Sequence, residues 1–139
     1  MLVALGSLSA HQTQATENMY LRYLRLLDYS ASHPDTTIRY VTSDIVLHIY
    51  RDASYLYDPK YRSRSGGYYF FGNRSPVAHQ PPYGESDING PIFTLSNILS
   101  NVMASAAEAK IGDSFLNGQE SIPILAIFDC WFFFQNIIR

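Results

Sequence analysis

Apolar positions first recur with a helical period in Thr16–Tyr29, where Tyr20, Tyr23, Leu24 and Leu27 lie three and four residues apart and Asn18, Arg22 and Arg25 fall largely elsewhere. The spacing predicts an amphipathic helix with Thr16 as its N-cap. Ser32-His33-Pro34-Asp35 ends it, because the residue before a proline is pushed out of the helical region. Arg39–Thr42 reads as a short strand. Ile45–Tyr50 (IVLHIY) is apolar on both parities except for His48, which predicts a central strand buried on both faces. Gly66–Phe71 (GGYYFF) predicts a second strand, with the glycine pair as the turn before it. A polar, Pro-rich connection follows over Gly72–Gly90. Pro91–Leu95 and Ile98–Met103 then read as two short strands or one bent one. Ser105–Gln119 reads as a helix, weakened by Gly112 and Gly118.

The two ends behave differently. Met1–Ala10 is mildly apolar, but it has no positive start and Gly6 interrupts it, so no secretory signal is expected and the cytoplasm or nucleus is the expected compartment. Ile122–Ile138 is almost continuously apolar, broken by Asp129, Gln135 and Asn136. A buried strand is the expectation there. A membrane anchor competes weakly, because a span needs about 20 apolar residues and a mid-run Asp is costly.

Composition narrows the classes. The 139 residues suit one domain, and 47% hydrophobic against 16% charged residues argues for a packed chain. The formal charge of -2 excludes a broadly basic surface, so a polyanion would need a local basic patch. A single cysteine, Cys130, excludes an internal disulfide and a multi-cysteine zinc site, and no His or acid partner marks it as a nucleophile.

Two acids stand out. Asp52 lies just past the apolar strand, where Asp is a common turn residue. Glu108 forms Ser105-x-x-Glu108, a capping box in which the hydroxyl serves the N3 amide and the carboxylate reaches back to the N-cap amide. His48 reads as a satisfied core histidine, and Asp113, five residues after Glu108, as a solvated side chain on another helix face. Lys60, Arg62 and Arg64 form the densest basic stretch, read either as a solvated hairpin turn or as phosphate contacts.

Five segments follow one another in order: Ser43–Leu56 (SDIVLHIYRDASYL), Arg62–Phe71 (RSRSGGYYFF), Asn89-Gly90-Pro91-Ile92, Val102–Ala109 (VMASAAEA) and Asn117-Gly118-Gln119-Glu120. Together they resemble the ribonuclease H domain of retrotransposon (copia/gypsy-like) Pol polyproteins. Upstream, Gln12, Thr16, Leu26-Leu27-Asp28-Tyr29 and His33-Pro34-Asp35 resemble the connection that joins a reverse transcriptase module to that domain. The resemblance implies an α/β fold, a ribonuclease H-like mixed sheet with flanking helices. Residues 1–40 would be the connection, 41–124 the N-terminal part of the domain, and 125–139 a divergent apolar tail.

The implied activity is hydrolysis of the RNA strand of RNA–DNA hybrids by two-metal catalysis. The resemblance makes Asp52 and Glu108 both catalytic residues and metal ligands, holding two Mg²⁺ ions (or Mn²⁺) roughly 3.5–4 Å apart. Lys60, Arg62 and Arg64 would contact nucleic acid, through hybrid shape rather than base sequence. A third carboxylate is expected in an Asp-Asn pair on a later strand. After Pro123-Ile124 no such pair occurs, and Asp129 is the acid in that run, so the fold is expected to be incomplete at its C-terminal end. Lys110 stands where the family has a second Glu, and Arg51 where it has a small or acidic residue. The alternative is a non-catalytic retroelement remnant that acts as a nucleic-acid or protein interaction module.

Overall fold

The computed structural model describes residues 2–10, 16–58, 61–74 and 88–137. The chain divides into two compact units, Met1–Arg39 and Tyr40–Arg139. The first holds helices α1 (Leu2–Ala10) and α2 (Glu17–Ser32). Thr16 caps α2 as its sequence predicts: its backbone is extended and its Oγ1 accepts a hydrogen bond from Met19 N at 3.4 Å. At the other end Ser32 Oγ donates to the Asp28 carbonyl at 2.7 Å, and the His33 ring stacks on Tyr29. No residue of α2 is buried.

The second unit is a mixed α/β arrangement. Strands β1 (Val46–Asp58), β2 (Arg62–Gly72) and β3 (Phe93–Ile98) form a sheet in the order β1-β2-β3, and helix α3 (Ala106–Ile137) packs against β1 and β2. The sheet, expected to mix parallel and antiparallel strands, is antiparallel across the three described. In β1–β2 the register pairs Ile49 with Tyr69, Arg51 with Gly67 and Asp52 with Gly66, and it shifts between Ser54 and Asp58. Leu56 lies in that irregularity with φ 54°, in the left-handed region. In β2–β3, Tyr68 pairs with Thr94 and Gly66 with Ser96.

Strand alternation sorts the side chains into two faces. Leu47, Ile49, Arg51 and Ala53 share a face with their partners Phe71, Tyr69, Gly67 and Ser65, and α3 covers this face. There the Phe71 and Phe128 rings meet edge-on at 4.4 Å. His48, Tyr50 and Asp52 lie on the opposite face with Phe70, Tyr68 and Gly66. On that face Phe70 is the hub, with ring centroids 5.2 Å from His48 and from Tyr50.

Several expectations need correction. Among the described strands β1 lies at the edge, with residues 46–50 half-buried, not as a central strand buried on both faces. Its continuous apolar run reflects aromatic contacts on one face and α3 on the other. Gly66 and Gly67 lie within β2 rather than in a turn before it. Arg39–Thr42 is not a strand. The Asn89 side chain takes the place of a partner strand: Nδ2 donates to the Val41 carbonyl at 2.7 Å, and Oδ1 accepts from Val41 N at 2.8 Å. Over 91–103, read as two short strands or one bent one, the structure has the single strand β3, Phe93–Ile98. The tail expected as a buried strand continues α3 instead, through Pro123. Among the described residues no helix is long and apolar enough to cross a membrane. Most of the Pro-rich connection, residues 75–87, lies outside the described residues.

Candidate functional site

Asp52 lies inside β1 rather than beyond its end. Its side chain is exposed, and its Oδ1 accepts from the adjacent Ala53 N at 2.9 Å. By strand parity it faces away from α3. Glu108 is in the first turn of α3. Ser105 Oγ accepts from Glu108 N at 3.1 Å, and Glu108 Oε2 accepts from Ala104 N at 2.8 Å. This is the capping box expected from the sequence, with the carboxylate reaching one residue further back than the usual N-cap amide.

The side chain that the structure brings to β1 is Asp113. It is fully buried on α3, in contrast to the solvated position expected. Ser65 Oγ donates to its Oδ1 at 2.5 Å and Asn117 Nδ2 to the same oxygen at 2.9 Å. Arg51 Nη1 donates to Oδ2 at 3.2 Å and to the Lys110 carbonyl at 3.4 Å. Asn117 Nδ2 also donates to Ser65 Oγ at 3.1 Å, and Tyr69 OH donates to Asn117 Oδ1 at 2.7 Å. A buried carboxylate is costly unless paired and bonded; here both oxygens are used. Burial, with Glu120 and Asp113 nearby, pushes the Tyr69 phenol up to about 12.

Gly67 allows this approach of helix to strand. A Cβ at that position would lie 2.1 Å from Asn117 Oδ1 and 2.7 Å from Tyr69 Cε2. Beside the network runs an open cleft of about 480 Å³, lined by Ile49, Tyr50, Arg51, Asp52, Ala53, Lys110 and Asp113. Asp52 thus shares a cleft with Arg51, Lys110 and Asp113, and Glu108 is not among its lining residues.

The basic stretch is placed differently from a solvated turn. Arg62 and Arg64 lie in β2. Arg62 Nε donates to the Leu99 carbonyl at 3.2 Å, and Arg64, only 6% exposed, donates through Nη1 to Ser96 O at 3.1 Å and Oγ at 3.2 Å. These bonds fasten β2 to β3 and the turn after it. Lys60 lies outside the described residues. Asp129 and Cys130 are exposed on α3. His48, half-buried, bonds through Nε2 to the Asn73 carbonyl at 3.1 Å. Among the described residues no three His, Cys, Asp or Glu side chains are grouped to hold a metal ion.

Sequence pattern did not single out Asp113 and Asn117 as a pair, although one signal was present: Ala109, Asp113 and Asn117 are spaced four apart and so share one helix face. Among known proteins, no family model, curated protein or solved structure matches this chain.

Proposed function

We propose that the chain is a ribonuclease H-like module of a retrotransposon Pol protein that engages RNA–DNA hybrids and hydrolyses their RNA strand. The order of its elements supports this best. An antiparallel β1-β2-β3 meander is followed by a long helix packed on β1 and β2, with Asp52 in β1 and Glu108 in the first turn of α3. When bound, two Mg²⁺ ions supply water activation and stabilisation of the leaving oxygen. In the arrangement described, however, the two carboxylates do not fit a shared cation. Glu108 is held back against Ala104 N, and Asp52 faces away from α3.

That misfit favours a second reading, a retroelement-derived module that binds the hybrid or another protein without turnover. Cleavage of an end-labelled RNA–DNA hybrid separates the two. The nuclease gives Mg²⁺-dependent cutting that disappears in Asp52→Asn and in Glu108→Gln. Gln at the N3 position keeps the capping box, so its loss of activity reports chemistry rather than folding. Hybrid that is bound but left intact in both Mg²⁺ and Mn²⁺ establishes the second reading. Cutting that survives both substitutions sinks the assignment of the site.

A further inference from the structure

We propose that the cleft along β1 is a metal-independent site for a backbone phosphate of an RNA–DNA hybrid, with Arg51 and Lys110 as its donors. The identity of the polyanion rests on the functional reading above; the donors rest on geometry. A buried ion pair is often no more stabilising than apolar residues of similar volume, so the Ser65–Asp113–Asn117 network invites the question of what it does. What it does is fix a guanidinium. Arg51 Nη1 is held by Asp113 Oδ2 and the Lys110 carbonyl, while 45% of the Arg51 side chain remains exposed. A guanidinium has five N–H donors in a rigid fork, and Nη1 supplies the two contacts that anchor it. A donor held in place before binding loses little further freedom when a ligand arrives. Lys110, exposed on the neighbouring turn of α3, lines the same cleft.

The opposing charges are also placed. Asp113 is buried behind Arg51, with Ser65 and Asn117 donating to it. Asp52 lines the cleft from β1, but by strand parity its carboxylate lies on the face turned away from α3, opposite Arg51. Arg62 and Arg64, the cations picked out by sequence density, already donate to β3 and the turn after it.

The test is fluorescence anisotropy of a labelled hybrid with the full chain in EDTA, over a series of salt concentrations. The expected result is binding without divalent cation. Lys110→Gln should weaken it roughly three- to tenfold and lower the slope of log K against log salt by about one. Arg51→Gln should weaken it at least as much. Arg51→Gln unpairs Asp113, so its fold is checked by circular dichroism. If it unfolds, Lys110→Gln alone decides the matter, since only the Lys110 backbone carbonyl takes part in the network. Binding that requires Mg²⁺, or a Lys110→Gln variant with unchanged affinity and salt slope, overturns the site. Cutting is read separately in Mg²⁺: intact cutting with unchanged Lys110→Gln affinity removes the phosphate site alone. Absence of any hybrid binding removes both proposals.

Discussion

Two residues decide how α3 meets the sheet. Gly67 removes the Cβ that would strike Asn117 Oδ1 and the Tyr69 ring, both of which are buried and hydrogen-bonded and cannot easily yield. Gly67→Ala should therefore cost about 1–3 kcal/mol, the usual range for overpacking, read as a lower midpoint in urea. Gly118→Ala is the control: nothing lies within 4 Å of its Cβ position, so the same change should stabilise by about 0.5–1 kcal/mol through helix propensity. Asp113→Ala should leave the buried Ser65 hydroxyl without its acceptor, at about 1–3 kcal/mol, while Asn117 Nδ2 keeps the residue 113 carbonyl and Ser65 Oγ. Sequence pattern hid this site because α3 reverses the usual arrangement. Ile111, Phe115 and Ile122 are 66–68% exposed, while Asp113 and Asn117 are at most 1% exposed. Turning apolar residues inward selects the wrong face. The capping residues, by contrast, were legible, since a cap is a local exchange of bonds that depends on a few adjacent side chains.

At the scale of elements, α2 and the start of α3 followed from their sequences, and the ends of the strands did not. The β1–β2 hairpin is longer on both strands than the apolar runs that announced it, because ladder bonds carry polar residues such as Arg51–Ser54 and Arg62–Ser65 along with their neighbours. The tail posed a different problem. A continuous apolar run has no period with which to separate strand from helix, and its length over Ile122–Ile138 was the better guide to a helix. Pro123 lies inside α3, where it removes one backbone donor and crowds the preceding turn. Pro123→Ala should accordingly deepen the helical signal in far-ultraviolet circular dichroism and stabilise by about 1–3 kcal/mol.

For the molecule as a whole, the described interior depends on bonded polar groups as much as on oil. Ser63, Arg64, Ser65, Asn89, Asp113 and Asn117 are buried beside Tyr69, Phe70, Leu95, Leu99 and Ala109. Such an interior responds to pH. Burial raises Tyr68, with a further contribution from Tyr40, and raises Tyr69 from 10.0 to about 12. A raised folded-state pKa favours the protonated phenol in the native chain. The associated stability is complete below pH 10 and is lost as pH climbs from about 10 to 12. Denaturant midpoints measured across that window should fall, and Tyr69→Phe should flatten the fall while lowering stability at neutral pH.

Among the described strands, β1 has a neighbour on one side only, and Asp52 stands exposed near its middle. A lone negative charge at that position acts as a gatekeeper against templated strand addition by other molecules. Asp52→Asn, made as an inactive nuclease control, therefore also lifts a guard against fibril growth. Its preparations should scatter light at concentrations where the parent stays clear, whether or not the carboxylate ever takes part in chemistry.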